Sequence, residues 1–182
     1  HSANFIELLK RIREVPKVKH VFVESGIRHD LILSSSNQDY IISELVDFTS
    51  GQLKLAPEHA HPNVLRLMRK PSAELFVEFK RKFEEAARQK GEKKYVIGYF
   101  IVGHPGEGEK ENAYLKDFVA NHLGYIPQQV QIFTPTPSTL STTMYHTGKD
   151  PFTGEEVFVE RHEKMRNIFK DNVIAQRPLK RY

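Results

Sequence analysis

Apolar and polar positions alternate along this chain in two rhythms. The continuous apolar run Val96–Val102 stops at Gly103-His104-Pro105-Gly106, and a charged, helix-like segment follows. The run is too short for a membrane span and is rich in Val, Ile, Phe and Tyr, which predicts a strand buried on both faces and therefore parallel. Shorter runs at Val18–Val23, Gln52–Ala56 and Val130–Phe133 predict three more strands. Between the runs the spacing turns helical. Apolar stripes are formed by Phe5, Leu8, Leu9 and Ile12, by Ile41, Ile42, Leu45 and Val46, and by Leu65 and Met68 behind Pro62. Further stripes are Leu75, Phe76, Phe79, Phe83, Ala86 and Ala87, then Leu115, Phe118, Val119 and Leu123, and finally Met165, Ile168 and Phe169. Punctuation agrees with these bounds. Pro16, Gly51, Pro71, Gly91 and Gly124 sit at breaks, Ser72 can cap a helix, and Ser36-Asn-Gln-Asp39 resembles a capping box.

The alternation of helix and strand predicts an α/β fold, a parallel sheet with right-handed crossovers. The polar, motif-like residues gather after the strands, as in barrels whose sites lie at the carboxyl ends of their strands. Four strands cannot close a barrel. The chain therefore reads as a partial (β/α) TIM-type barrel, its second half, or else as a small open sheet. One domain over 1–182 is expected, with βα units through residue 148. A turn at Asp150–Gly154, a helix and the basic tail Arg177–Tyr182 fill residues 149–182. A half barrel exposes strand edges, so self-association, or edges covered by the chain's own termini, is expected.

Composition narrows the functions. Hydrophobic residues make up 39% and aromatics 10%, enough for a core. No stretch has the length of a membrane span and none reads as a signal peptide, so a cytoplasmic location without membrane partners is expected. The formal charge of +4 is mild and scattered, which does not by itself point to nucleic acid. There is no cysteine, so this chain alone supplies no disulfide, no thiol nucleophile and no cysteine-held zinc or iron–sulfur site. The first residue is His1 rather than Met and structured-looking sequence begins at once, which suggests a piece of a longer protein.

Each strand end offers candidate chemistry. After the first, Glu24 or Ser25 can bond a ribose or a carboxylate, and Arg28 can pair with a carboxylate through two hydrogen bonds; an internal Glu–Arg pair is the plain alternative. After the second stand Lys54, Glu58, His59 and His61. Read as metal ligands they lie too close together on one loop to converge, so hydrogen bonding toward a cofactor, or a Lys54–Glu58 pair, fits better. His104 and the amides of its turn can receive an anion or an adenine edge. The hydroxyls from Thr134 to Thr143, with Tyr145, suit turns and caps.

Together the junctions carry a resemblance that no single one does. The series is Glu24-Ser-Gly-Ile-Arg-His-Asp-Leu31, Gly51-Gln-Leu-Lys-Leu-Ala-Pro-Glu-His59, Val64-Leu-Arg-Leu-Met-Arg-Lys-Pro71, Tyr99-Phe-Ile-Val-Gly-His-Pro-Gly106 and Gln131-Ile-Phe-Thr-Pro-Thr-Pro-Ser-Thr-Leu-Ser-Thr-Thr-Met-Tyr145, with Asp150-Pro-Phe-Thr-Gly154. Over nearly its whole length, and in this order, the chain is similar to the YgiQ-like family of radical S-adenosylmethionine proteins. Two pieces also resemble radical S-adenosylmethionine methylthiotransferases. The resemblance implies a partial TIM-type barrel in which a CxxxCxxC loop near the first strand holds a [4Fe–4S] cluster. S-adenosylmethionine would be cleaved reductively to a 5′-deoxyadenosyl radical acting on an unknown substrate. It further implies that Ser25 and Arg28 face the ribose and carboxylate of the cofactor, and that Lys54, Glu58 and His59 line the cofactor or substrate side. Gly103, His104 and Pro105 would meet the adenine side, and Thr134 and Thr136 would close the pocket. The cysteine motif is absent, so the chain is expected to be the later part of the catalytic domain, to need the amino-terminal remainder of its parent, and to be inactive alone. A nucleotide- or nucleic-acid-binding module without catalysis is the competing reading; a structural interaction domain is a third.

Overall fold

A computed structural model describes residues 2–175 of the chain. The predicted basic tail Arg177–Tyr182 lies outside the described residues. The elements are α1 (Ser2–Arg13), α2 (His29–Leu33), α3 (Gln38–Asp47), β1 (Gln52–Glu58), α4 (Pro62–Met68), α5 (Ala73–Gln89), β2 (Tyr95–Val102), α6 (Glu109–His122), β3 (Val130–Ile132), α7 (Leu140–Thr147) and α8 (Glu163–Ile174). Three strands form a parallel sheet in the order β1-β2-β3, and Phe100, Ile101 and Val102 stand opposite Val130, Gln131 and Ile132. The α/β class and the parallel sheet match the expectation; among the described residues the sheet has three strands, not the four expected of the partial barrel. Val18–Val23 forms no regular element and is not a strand. It meets its surroundings at isolated points, with the Val23 amide donating to the Phe48 carbonyl and the Lys54 amide to that of Glu24, so no ladder of paired backbone groups builds up.

The chain forms two compact units, one of His1–Ala56 with Glu74–Ile97 and one of Pro57–Ala73 with Gly98–Tyr182. In the first unit, α1 and α2 both pack on α3. Helix α5 buries Phe76, Phe79, Phe83 and Ala87, the stripe expected from their spacing. Each such phenylalanine contributes about 1.5–3 kcal/mol of burial. Helix α1 departs from its predicted face. Ile6 and Leu9 are buried, while Leu8 and Ile12 face solvent. The capping box at Ser36 is also not realised. Asn37 occupies the cap position of α3 without a side-chain bond, and the Ser35 hydroxyl instead accepts from the Asn37 amide.

In the second unit, α6 packs on α8, and α8 on β3. Leu115, Val119, Phe169 and Val173 on these helices are buried, as are Phe100 and Val102 on β2. Strand β2 was expected to be buried on both faces, but its burial alternates. Val96, Gly98, Phe100 and Val102 are buried, while Ile97, Tyr99 and Ile101 are half-buried. One face of this parallel strand is therefore partly open, which is unusual for a sheet covered by helices on both sides.

Candidate functional site

The carboxyl end of β1 is bent sharply. Glu58 takes a left-handed backbone with φ of 69°, rare for a residue with a side chain, and the His59 amide donates to the Pro57 carbonyl at 2.9 Å. The kink separates two neighbours. Glu58 turns outward to an ion pair with Lys70 at 3.1 Å, while the His59 ring is fully buried. His59 Nδ1 accepts the His61 amide proton at 3.0 Å, so the ring's own proton sits on Nε2. That nitrogen lies 3.3 Å from Glu107 Oε1, at ion-pair distance but without the alignment of a hydrogen bond.

Glu107 ends the Gly-His-Pro-Gly turn after β2 and is completely buried. Its Oε2 accepts the Gly103 amide across the turn, and its Oε1 accepts from Asn112 Nδ2 at 2.9 Å. Asn112 also donates to the Phe169 carbonyl at 3.1 Å and accepts from Asn172 at 3.0 Å, so the network spans the turn, α6 and α8. Two more amides of the turn are engaged: Gly106 donates to the Phe158 carbonyl and Glu107 to that of His104. The turn is thus held from within, with three of its backbone donors bonded inside the protein.

His104 is buried and held by both ring nitrogens. Nδ1 donates to the Pro105 carbonyl at 2.7 Å, which leaves Nε2 to accept the Ser141 hydroxyl at 2.8 Å. Its ring meets Phe133 edge-on, and Phe133 meets Tyr145. Burial lowers its pKa to about 4, assisted by the neighbouring His59 and opposed by the Pro105 carbonyl and Glu107, so the ring is neutral at ordinary pH. Farther along the chain, Asp150 is buried in its own turn and accepts the Phe152 amide at 2.9 Å. That hydrogen bond, with Arg69 and Arg66 at 3.8 and 3.4 Å, holds its carboxyl below the usual carboxylate range.

The residues predicted as cofactor contacts divide between the units. Glu58, His59, Gly103, His104, Pro105, Thr134 and Thr136 lie in the second, where the turn and the end of β1 are joined through His59 and Glu107. Thr134 and Thr136 are not drawn into that network; their exposed or half-exposed hydroxyls bond carbonyls two residues back. Ser25, Arg28 and Lys54 lie in the first unit. Arg28 is tied to Asp30 by two hydrogen bonds of 2.9 and 2.6 Å, so its expected internal partner is Asp30 rather than Glu24. Lys54 lines a cavity of about 240 Å³ with Glu24, Ser50, Gly51 and Gln52. It is four residues before Glu58 on β1, about 13 Å away at the rise of a strand, and Glu58 is paired elsewhere. Among the described residues no three or more His, Asp or Glu side chains converge as they would around a metal ion, and no helix is long and apolar enough to cross a membrane.

Sequence reasoning missed Glu107, Asn112 and Asp150 as buried polar groups and gave Ser141 no partner. Glu107 stands directly after the Gly-His-Pro-Gly turn, four residues past Gly103, the reach at which a side chain can close a turn on itself.

Comparison with other proteins places this geometry. Residues 128–176 match a protein family described as a domain of unknown function, DUF3362. UPF0313 proteins of Thermotoga petrophila and Thermotoga maritima are 64% and 63% identical over 95% of this chain, and one of Fusobacterium nucleatum is 42% identical over 96%. The chain spans about 30% of the length of these relatives. Among solved structures it is similar to coproporphyrinogen III oxidase (HemN) from Escherichia coli, a radical SAM enzyme, with a TM-score of 0.52 and 14% identity over 92% of this chain and 42% of that one. The resemblance read from the strand-end motifs is borne out: in sequence the chain is similar to a part of the UPF0313 proteins, and in fold it is similar to HemN, described as a radical SAM enzyme.

Proposed function

We propose that this chain forms part of the catalytic domain of a radical S-adenosylmethionine enzyme and builds the adenine side of the cofactor pocket. The observation that supports this best is the turn Gly103–Glu107, fixed by a buried carboxylate at the end of a parallel strand, in a fold like that of a radical SAM enzyme. The carboxyl ends of parallel strands are where such folds place their chemistry.

The two groups implied by this reading fit the chain differently. An iron–sulfur cluster needs thiolates and this sequence contains no cysteine, so the cluster would be held by residues outside it. For S-adenosylmethionine the fit is better. Three of the turn's amides are satisfied internally and Gly103, His104 and Pro105 are buried, so what it offers a purine is a fixed strand end beside half-buried Ile101. In the first unit, Lys54 has no acidic partner among the described residues and lines a cavity, whereas Arg28 would have to leave Asp30. Within that unit Lys54 is therefore a better candidate than Arg28 to bind a carboxylate. Glu58, His59 and His104 act here through position: they hold the strand ends in place. When bound, the cofactor supplies reductive bond cleavage, and the protein orients it and keeps water away.

The test uses a full-length relative of this group, prepared without oxygen and reconstituted with iron and sulfide. Cluster absorbance together with release of 5′-deoxyadenosine from S-adenosylmethionine on reduction is the expected result. A protein that folds and takes up no cluster, or holds one and never cleaves the cofactor, would sink the reading. The 182-residue chain alone is expected to take up no stoichiometric iron and sulfide.

A further inference from the structure

The segment matching the domain of unknown function contributes more than β3 to the strand ends. Its helix α8 sends Arg166 over the end of β2. A Cβ at Gly103 would meet Arg166 Cγ and Cδ at 3.0 Å, so the arginine stem lies directly on the glycine's α-carbon. The guanidinium Nη1 reaches the Phe133 carbonyl, one residue past β3, at a long 3.4 Å. Nε is buried and has no partner. Among the described residues no carboxylate lies within ion-pair distance of this cation, and the buried carboxylate of the turn, Glu107, is already engaged by Gly103, Asn112 and His59.

A guanidinium carries five N–H donors in a planar fork. Here one long bond is made and an inner donor is left buried and unanswered, an arrangement that is costly unless something else answers it. The edge formed by Nε and the neighbouring Nη matches two oxygens of one carboxylate or phosphate, which bind it through parallel hydrogen bonds. We propose that Arg166 is an anion-binding residue at the carboxyl ends of β2 and β3, taking two oxygens of a carboxylate or phosphate group of a ligand. The inference rests on Arg166 and Gly103 alone and stands or falls separately from the radical S-adenosylmethionine reading.

The 182-residue chain, labelled with nitrogen-15, is titrated at constant ionic strength with inorganic phosphate and, separately, with succinate. Side-chain Nε–H signals of the arginines and the Gly103 amide are followed, and Arg166→Gln identifies the Arg166 signal. Saturable shifts of both signals are expected. A response to phosphate alone points to a phosphorylated ligand, and one to succinate alone to a carboxylate. Arg166→Lys should weaken the response about tenfold, because a lysine presents no fork. Gly103→Ala, which pushes the side chain aside from the other direction, should weaken it as well. No saturable shift with either anion, or shifts at Gly103 that persist in Arg166→Gln, would overturn the proposal. The titration of the unaltered chain decides the matter even if a variant folds poorly.

Discussion

The loop Glu24–Asp30 and the turn Gly103–Glu107 each follow an apolar run with charged and polar residues, and the fold uses those residues differently. In the first, His29 is buried edge-on against Phe76 and Phe79, but the charged pair does not reach beyond the loop: Arg28, 64% exposed, bonds Asp30 two residues away at the surface. Gly26 there has nothing within 4 Å of where a Cβ would stand. In the second, His104 and Glu107 are buried and reach beyond their own turn, to Ser141 on α7 and to Asn112 on α6. A Cβ on Gly106 would strike the Leu67 side chain. The difference comes from the helix that succeeds each motif. After Gly103–Glu107, helix α6 begins and offers Asn112 to the buried carboxylate. Glu24–Asp30 instead runs into the five-residue α2, which begins at His29 itself and whose cap makes no side-chain bond. Polar density marks a candidate loop, but a buried partner on the next helix is what makes it a fixed site.

Substitutions at the two loops should separate them, beginning with the largest effect. Glu107→Ala removes the acceptor of the Gly103 amide and of Asn112 and strands His59 Nε2. A loss of about 3–5 kcal/mol in chemical denaturation is expected, and a loss under about 1 kcal/mol would break the contrast.

Next comes pH. His104 ionises near 6.5 in an unfolded chain and near 4 when folded, chiefly because burial disfavours the charged ring. The folded state thus resists a proton that the unfolded state accepts. This contribution is complete above about pH 6.5 and is lost as pH falls toward 4, by on the order of 3 kcal/mol. The slope should be shallower in His104→Gln, and identical profiles for the two proteins would show that His104 does not carry it.

Gly106→Ala combines a left-handed backbone, φ of 93°, with the Leu67 contact, and about 1–3 kcal/mol should be lost. Gly26→Ala meets only backbone strain, φ of 83°, and about 1 kcal/mol is expected. Equal losses would mean that packing around Gly106 adds nothing. Smallest of all is Arg28→Ala, which should leave the denaturation midpoint where it is, since its ion pair is solvated.

Much of the fold was legible from spacing. The stripe Phe76, Phe79, Phe83 of α5 and the strands at Gln52, Val96 and Val130 needed only periodicity, because burial of one face sets both period and element. Val18–Val23 has the right composition for a strand but pairs at single points, and pairing is a non-local property that composition does not carry. Helix α7 was hidden inside the stretch Thr134–Tyr145, since serine and threonine suit turns and caps alike. Thr139 turned out to be the cap, accepting from the Thr142 amide. At the candidate site, Gly103, His104 and Pro105 stood out through turn chemistry. Their partners Asn112, Ser141 and Arg166 did not, because nothing in the local sequence tells a polar residue on a helix which way it faces.

Amide hydrogen exchange at Gly103 and Gly26 tests most directly whether one turn is prebuilt and the other loop is not. The Gly103 amide, bonded to a buried carboxylate, should exchange only on the timescale of global opening and lose that protection in Glu107→Gln, while Gly26 exchanges at loop-like rates in both proteins. Fast exchange at Gly103 in the unaltered chain would contradict the claim that the carboxyl end of β2 is a preformed scaffold.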